Sequence, residues 1–115
     1  MAQRVPCLLA PPTAMPMDTN TVYTNDTNPL RYDLVRHIHV CNPSTDEIVY
    51  ITFYVGQSSQ FSVPGTELCN WLAIKPGSFW DWYGMLVLNY NDWIRAGASH
   101  YVATYTIEGE CGVIE

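Results

Sequence analysis

Apolar and polar positions alternate along most of this chain. In Glu47–Val55 (EIVYITFYV), Val49, Ile51, Phe53 and Val55 fall on one face and Tyr50, Thr52 and Tyr54 on the other. That period of two is the signature of a half-buried strand. No window sustains apolar spacing at 3.6 residues, and Pro, Gly and Asn punctuate runs rich in Thr, Val, Ile, Tyr and Trp. The pattern predicts strands over 3–9, 21–24, 31–41, 47–55, 61–63, 67–74, 79–88, 93–96 and 99–108, with a bulge or bend at Gly84. In 31–41, Arg36, Ile38 and Val40 are expected on one face and His37, His39 and Cys41 on the other. In the last strand Tyr101, Ala103, Tyr105 and Ile107 share a face.

About seven to nine short strands with turn signals between them predict an all-β fold, an antiparallel, jelly-roll-like β-sandwich. APPTAMPMDTN is too proline-dense for a central strand. Residues 1–20 are therefore expected to form an extended N-terminal strand and arm, with Pro6, Leu8, Leu9, Pro11 and Pro12 as its contacts, and 21–115 a single sandwich domain.

The 115 residues suit one domain. Hydrophobic content is 48% and charged content only 14%, against about a quarter in ordinary soluble domains. So little charge leaves surface for subunits to cover. A net charge of −6 with five scattered Lys and Arg excludes a nucleic-acid partner. No apolar run is long enough to span a membrane. The N-terminus develops no signal-peptide core, so synthesis in a cytoplasm is expected. Cys7, Cys41, Cys69 and Cys111 form no CxxC pair and are expected as free thiols; disulfides would require a mature protein living outside a cell.

The stretch HIHVC places His37, His39 and Cys41 on one face, a ligand set that zinc accepts. Alternate residues of a strand lie roughly 7 Å apart, so a third ligand two positions on hardly reaches the ion. They are weak metal candidates, and neither metal nor cofactor is expected. A Cys41–His39 dyad lacks any signalled oxyanion hole or orienting group, and the carboxylates are dispersed, so no enzyme is predicted. The aromatic residues point to contact instead. Phe79, Trp80, Trp82, Tyr83, Trp93, Tyr101 and Tyr105 are the candidate interface. The alternative is stacking on sugar rings by exposed Trp80 or Trp82, as in a carbohydrate-binding module for host-surface glycans.

Four segments also carry a resemblance: His37–Asn42 (HIHVCN), Tyr54–Gly56, Asp81–Leu88 (DWYGMLVL) and Thr106–Glu110 (TIEGE). In this order they resemble a family of small β-rich virion structural proteins of tailed bacteriophages, especially those of actinobacterial hosts. The likeness covers most of residues 21–115; NDTNPLRYD and the Ala10–Met17 proline segment depart from it. It implies a non-enzymatic building block located in the virion. Self-association, most simply as a trimer, and packing on tail or major capsid proteins complete the expectation. A minor tail component is the first reading, and a capsid decoration protein the alternative.

Overall fold

A computed structural model describes residues 3–25, 31–56, 67–100 and 102–113; the strand expected at 61–63 lies outside them. Eight strands follow in order: β1 (Gln3–Ala14), β2 (Asn20–Thr24), β3 (Arg31–Cys41), β4 (Val49–Gly56), β5 (Glu67–Ile74), β6 (Phe79–Leu88), β7 (Trp93–Ala98) and β8 (Thr104–Val113). No helix occurs among the described residues.

The chain pairs as one long hairpin rolled over on itself. β1 runs antiparallel to β8, β2 to β7, β3 to β6 and β4 to β5. Two further antiparallel pairings, β3 with β8 and β4 with β7, gather these ribbons into two sheets, β1-β8-β3-β6 and β2-β7-β4-β5. This order is the double Greek key of a jelly roll, so the fold expected from the sequence is the fold observed.

The inward-facing alternate residues of both sheets form the core between them. Ile38, Val40, Tyr105 and Ile107 come from the first sheet, and Val49, Ile51, Phe53, Ile94 and Ala96 from the second. Trp80 reaches across, its ring centroid 5.8 Å from that of Phe53. Buried Asn42 holds one end together: its side-chain amide donates to the carbonyls of Glu47 (2.8 Å) and Ile74 (2.9 Å), joining the β3–β4 turn to β5.

Four expectations change. First, the N-terminal strand runs past its expected end at residue 9. β1 continues through Pro11 and Pro12 to Ala14 as the edge strand beside β8. A register shift between Ala10 and Thr13 accommodates the two prolines, which an edge strand tolerates because one side of its ladder is open. Leu9, Ala10 and Met15 enter this chain's own core.

Second, Arg36 does not share the inner face with Ile38 and Val40. Pairing with β8 passes from Val35↔Gly109 to His37↔Glu108, which makes Arg36 the extra residue of a bulge. Val35 takes the core position, and exposed Arg36 forms an ion pair with Glu110 (3.2 Å). The disturbance runs on into β6, where the step Val35↔Leu86 to His37↔Tyr83 leaves Gly84 and Met85 against Arg36 alone. The irregularity expected at Gly84 is there, inside one continuous strand.

Third, the last strand starts at Thr104 rather than Ser99. Ser99 caps β4 instead: its backbone N–H donates to the Tyr50 carbonyl and its hydroxyl accepts from the Tyr50 N–H, each at 2.9 Å. Fourth, not all thiols are free. Cys7 and Cys111 are joined in a disulfide that links β1 to β8, whereas Cys41 and Cys69 are free. The topology brings the first and last strands side by side, which no local cysteine spacing reveals.

Candidate functional site

The chemistry of the molecule concentrates on the outer face of β3 and β6. With Ile38 and Val40 pointing into the sandwich, His37 and His39 must point out. On β6 the same alternation turns Trp80 and Trp82 toward the core and Phe79, Asp81 and Tyr83 outward. Antiparallel register sets His39 opposite Asp81 and His37 opposite Tyr83, so Asp81 lies diagonally across from His37 as well.

One carboxylate oxygen serves both rings. His37 Nε2 lies 2.6 Å and His39 Nδ1 2.7 Å from Asp81 Oδ1. A carboxylate only accepts, so each ring presents an N–H to that oxygen. Burial pushes the Asp81 carboxyl up. The hydrogen bonds and charges of His37 and His39 outweigh burial and hold it below the usual carboxylate value. The rings are braced from the sides: His37 stacks flat on Tyr83, with centroids 4.5 Å apart, and His39 leans on Phe79 at 5.6 Å. The other nitrogen of His37, Nδ1, faces Glu108 Oε1 of β8 at 3.9 Å.

The expected pairing of His37 with His39 on one face is present, and Cys41, which strand spacing put out of reach, pairs opposite Phe79 two residues beyond His39. Asp81 takes the central place. Only the β3–β6 register identifies Asp81, and nothing local to HIHVC encodes that register.

The candidate interface residues divide. Phe79 (64% exposed) and Tyr83 (71%) continue into Met85 (58%) and Val87 (52%), an open apolar row along the outer face of edge strand β6. Met85 and Val87 were missed, although their alternation with Tyr83 in YGMLV would have found them. Trp80 and Trp82 are half-buried and pack against the core instead of standing out from the surface. Trp93 and Tyr105 are corrections: both are buried in this chain and present no contact surface. Trp93 lies under Arg95, whose guanidinium carbon is 4.0 Å from the ring centroid. Tyr101 and the side chain of Pro6 lie outside the described residues. Of the other N-terminal candidates, Leu8, Pro11 and Pro12 are exposed and Leu9 is buried.

A depression of about 420 Å³ beside this face is bounded by Cys7, Leu8, Arg36, His37, Glu108 and Gly109. Its cysteine is held in the disulfide, so no thiol nucleophile faces the histidine there.

No protein-family model matches the sequence, and no curated protein matches it significantly. Solved structures do match. The chain superposes over 99% of its length on 33% of a chain from the infectious bursal disease virus VP2 subviral particle, at 9% identity and a TM-score of 0.50. For the Gx strain of the same virus the values are 97%, 32%, 9% and 0.51. For its T13 viral particle they are 99%, 31%, 7% and 0.50. The present chain thus spans about a third of the length of these particle chains. At such identities the likeness is one of fold alone, an antiparallel β-sandwich.

Proposed function

We propose that this chain is a non-enzymatic structural subunit of a virus particle that works by packing against copies of itself and against other particle proteins. The observation that carries the reading is the fit of nearly the whole chain, jelly roll included, to chains of infectious bursal disease virus particles. Two features of the molecule support it. The apolar row Phe79, Tyr83, Met85 and Val87 lies on a sheet edge, where unpaired backbone and exposed side chains together favour association. The Cys7–Cys111 disulfide is of a kind that persists in oxidising surroundings, virion surfaces among them.

Within this reading, the resemblance of HIHVCN and DWYGMLVL to tailed-phage proteins favours a phage virion and a closed homo-oligomer, most simply a trimer. A minor tail position and a decorating position on the capsid both use the same outward β6 face. A glycan-binding role through Trp80 and Trp82 loses its support, since both rings pack on the core.

Sedimentation equilibrium of the purified, oxidised chain tests self-association. A trimer, or a larger closed form, should accumulate as concentration rises. A species that stays monomeric at every concentration would overturn the reading.

A further inference from the structure

We propose that His37, His39 and Asp81 form a binding site for one divalent transition-metal ion of the zinc class. Three donor atoms, His37 Nε2, His39 Nδ1 and an Asp81 carboxylate oxygen, all lie within 4.8 Å of one another. Two imidazole nitrogens and one carboxylate suit zinc and its borderline neighbours, whereas calcium and magnesium call for all-oxygen shells.

The arrangement is built rather than accidental. The donors stand on adjacent paired strands, so the ladder fixes their spacing. Tyr83 and Phe79 brace the two rings, and the side chains are only 22% (His37), 38% (His39) and 17% (Asp81) exposed. Both ring nitrogens already converge on one oxygen, Asp81 Oδ1. An ion drawn in beside that oxygen takes the place of the two ring protons, each of which shifts to the other nitrogen of its ring through solvent or is released to water. Ligand bonds of about 2.0–2.2 Å then require shifts of side-chain torsions only. Glu108 stands nearby on β8, its Oε1 3.9 Å from His37 Nδ1, the nitrogen that carries the ring proton when Nε2 binds metal. A small side-chain rotation would bring it into the hydrogen bond that carboxylates make behind metal-ligating histidines. Three protein donors leave a coordination position open toward the outer surface of the sheet, the face that carries the β6 apolar row.

The test uses the full chain without a histidine tag, stripped with chelator and titrated with Zn²⁺ by calorimetry and with Co²⁺ by visible absorption. One ion per chain is expected, with d–d bands of a low-coordinate Co²⁺ site. Thiolate charge-transfer absorption is not expected, because Cys41 stands outside the cluster. His39→Ala and Asp81→Asn, each verified as folded by circular dichroism, should weaken binding at least about 100-fold, and Glu108→Gln about 10-fold. Cys41→Ser should leave binding unchanged. The proposal is overturned if the wild-type chain shows no cobalt bands, if binding survives Asp81→Asn, or if it disappears in Cys41→Ser.

Discussion

Gly109 and the Leu34 carbonyl face each other so closely that a Cβ on Gly109 would lie 1.7 Å from the Leu34 oxygen. The contact sits beside the Arg36 bulge, where β8 closes against the displaced backbone of β3. Backbone cannot swing aside as a flexible side chain does. Gly109→Ala should therefore destabilise the fold by about 3 kcal/mol or more, as overpacking against rigid structure does. Urea unfolding checks this, and an unchanged midpoint would show that the bulge tolerates a side chain there.

The disulfide joins the first and last strands across a sequence separation of 104 residues. Cross-links over long loops restrict the unfolded chain and typically contribute about 2–4 kcal/mol. Reduction, or Cys7→Ser, should lower the unfolding free energy by that amount while leaving β3–β7 paired. Denaturant unfolding with and without reductant reports the first. Hydrogen exchange reports the second, with protection lost selectively in β1.

Cys69 behaves differently from an ordinary thiol. Burial pushes it up to about 11 against a lowering backbone hydrogen bond at Phe53, from an unfolded value of 9.0. At pH 8.5 its thiolate fraction should be about 100-fold below that of the unfolded chain, and iodoacetamide labelling correspondingly slow. Its folded value is raised, so its share of stability is complete below about pH 9 and lost as pH climbs toward 11. The alkaline fall in the urea midpoint should shrink in Cys69→Ala.

Met85 and Val87 project from the outer face of β6 without entering the core. Substituting both by Lys should change folding stability by no more than about 0.5 kcal/mol each, the usual range for exposed sites. The same pair of charges on a contact face should abolish self-association. Light scattering beside thermal unfolding separates the two effects. Assembly that persists undiminished would remove the β6 row from the interface.

The strands legible in the sequence are those bounded by strong turn chemistry. β3 and β5 match their expected limits because Asn42-Pro43 and Lys75-Pro76-Gly77 stop them. Val49, Ile51 and Phe53 announced the core by alternation alone. What stayed hidden depends on which strands become neighbours. Asp81 reaches His39 across 42 residues of chain, and Cys7 reaches Cys111 across 104. The Arg36 bulge escaped for a related reason. A strict period of two predicts Arg36 inside, and only the pairing with Gly109 and Glu108 ejects the charge. Trp93 was assigned to the surface on its size and type, yet it packs so tightly that a Cβ on Gly56 would meet its ring at 2.3 Å.

The claim that this chain is a particle subunit is tested most directly by cryo-electron microscopy of purified particles carrying it. The account predicts density for an eight-stranded jelly roll at repeated, symmetry-related positions, with the outer face of β6 covered by a neighbouring protein. Particles complete in every other component but lacking that density, with the chain left free in the lysate, would contradict it.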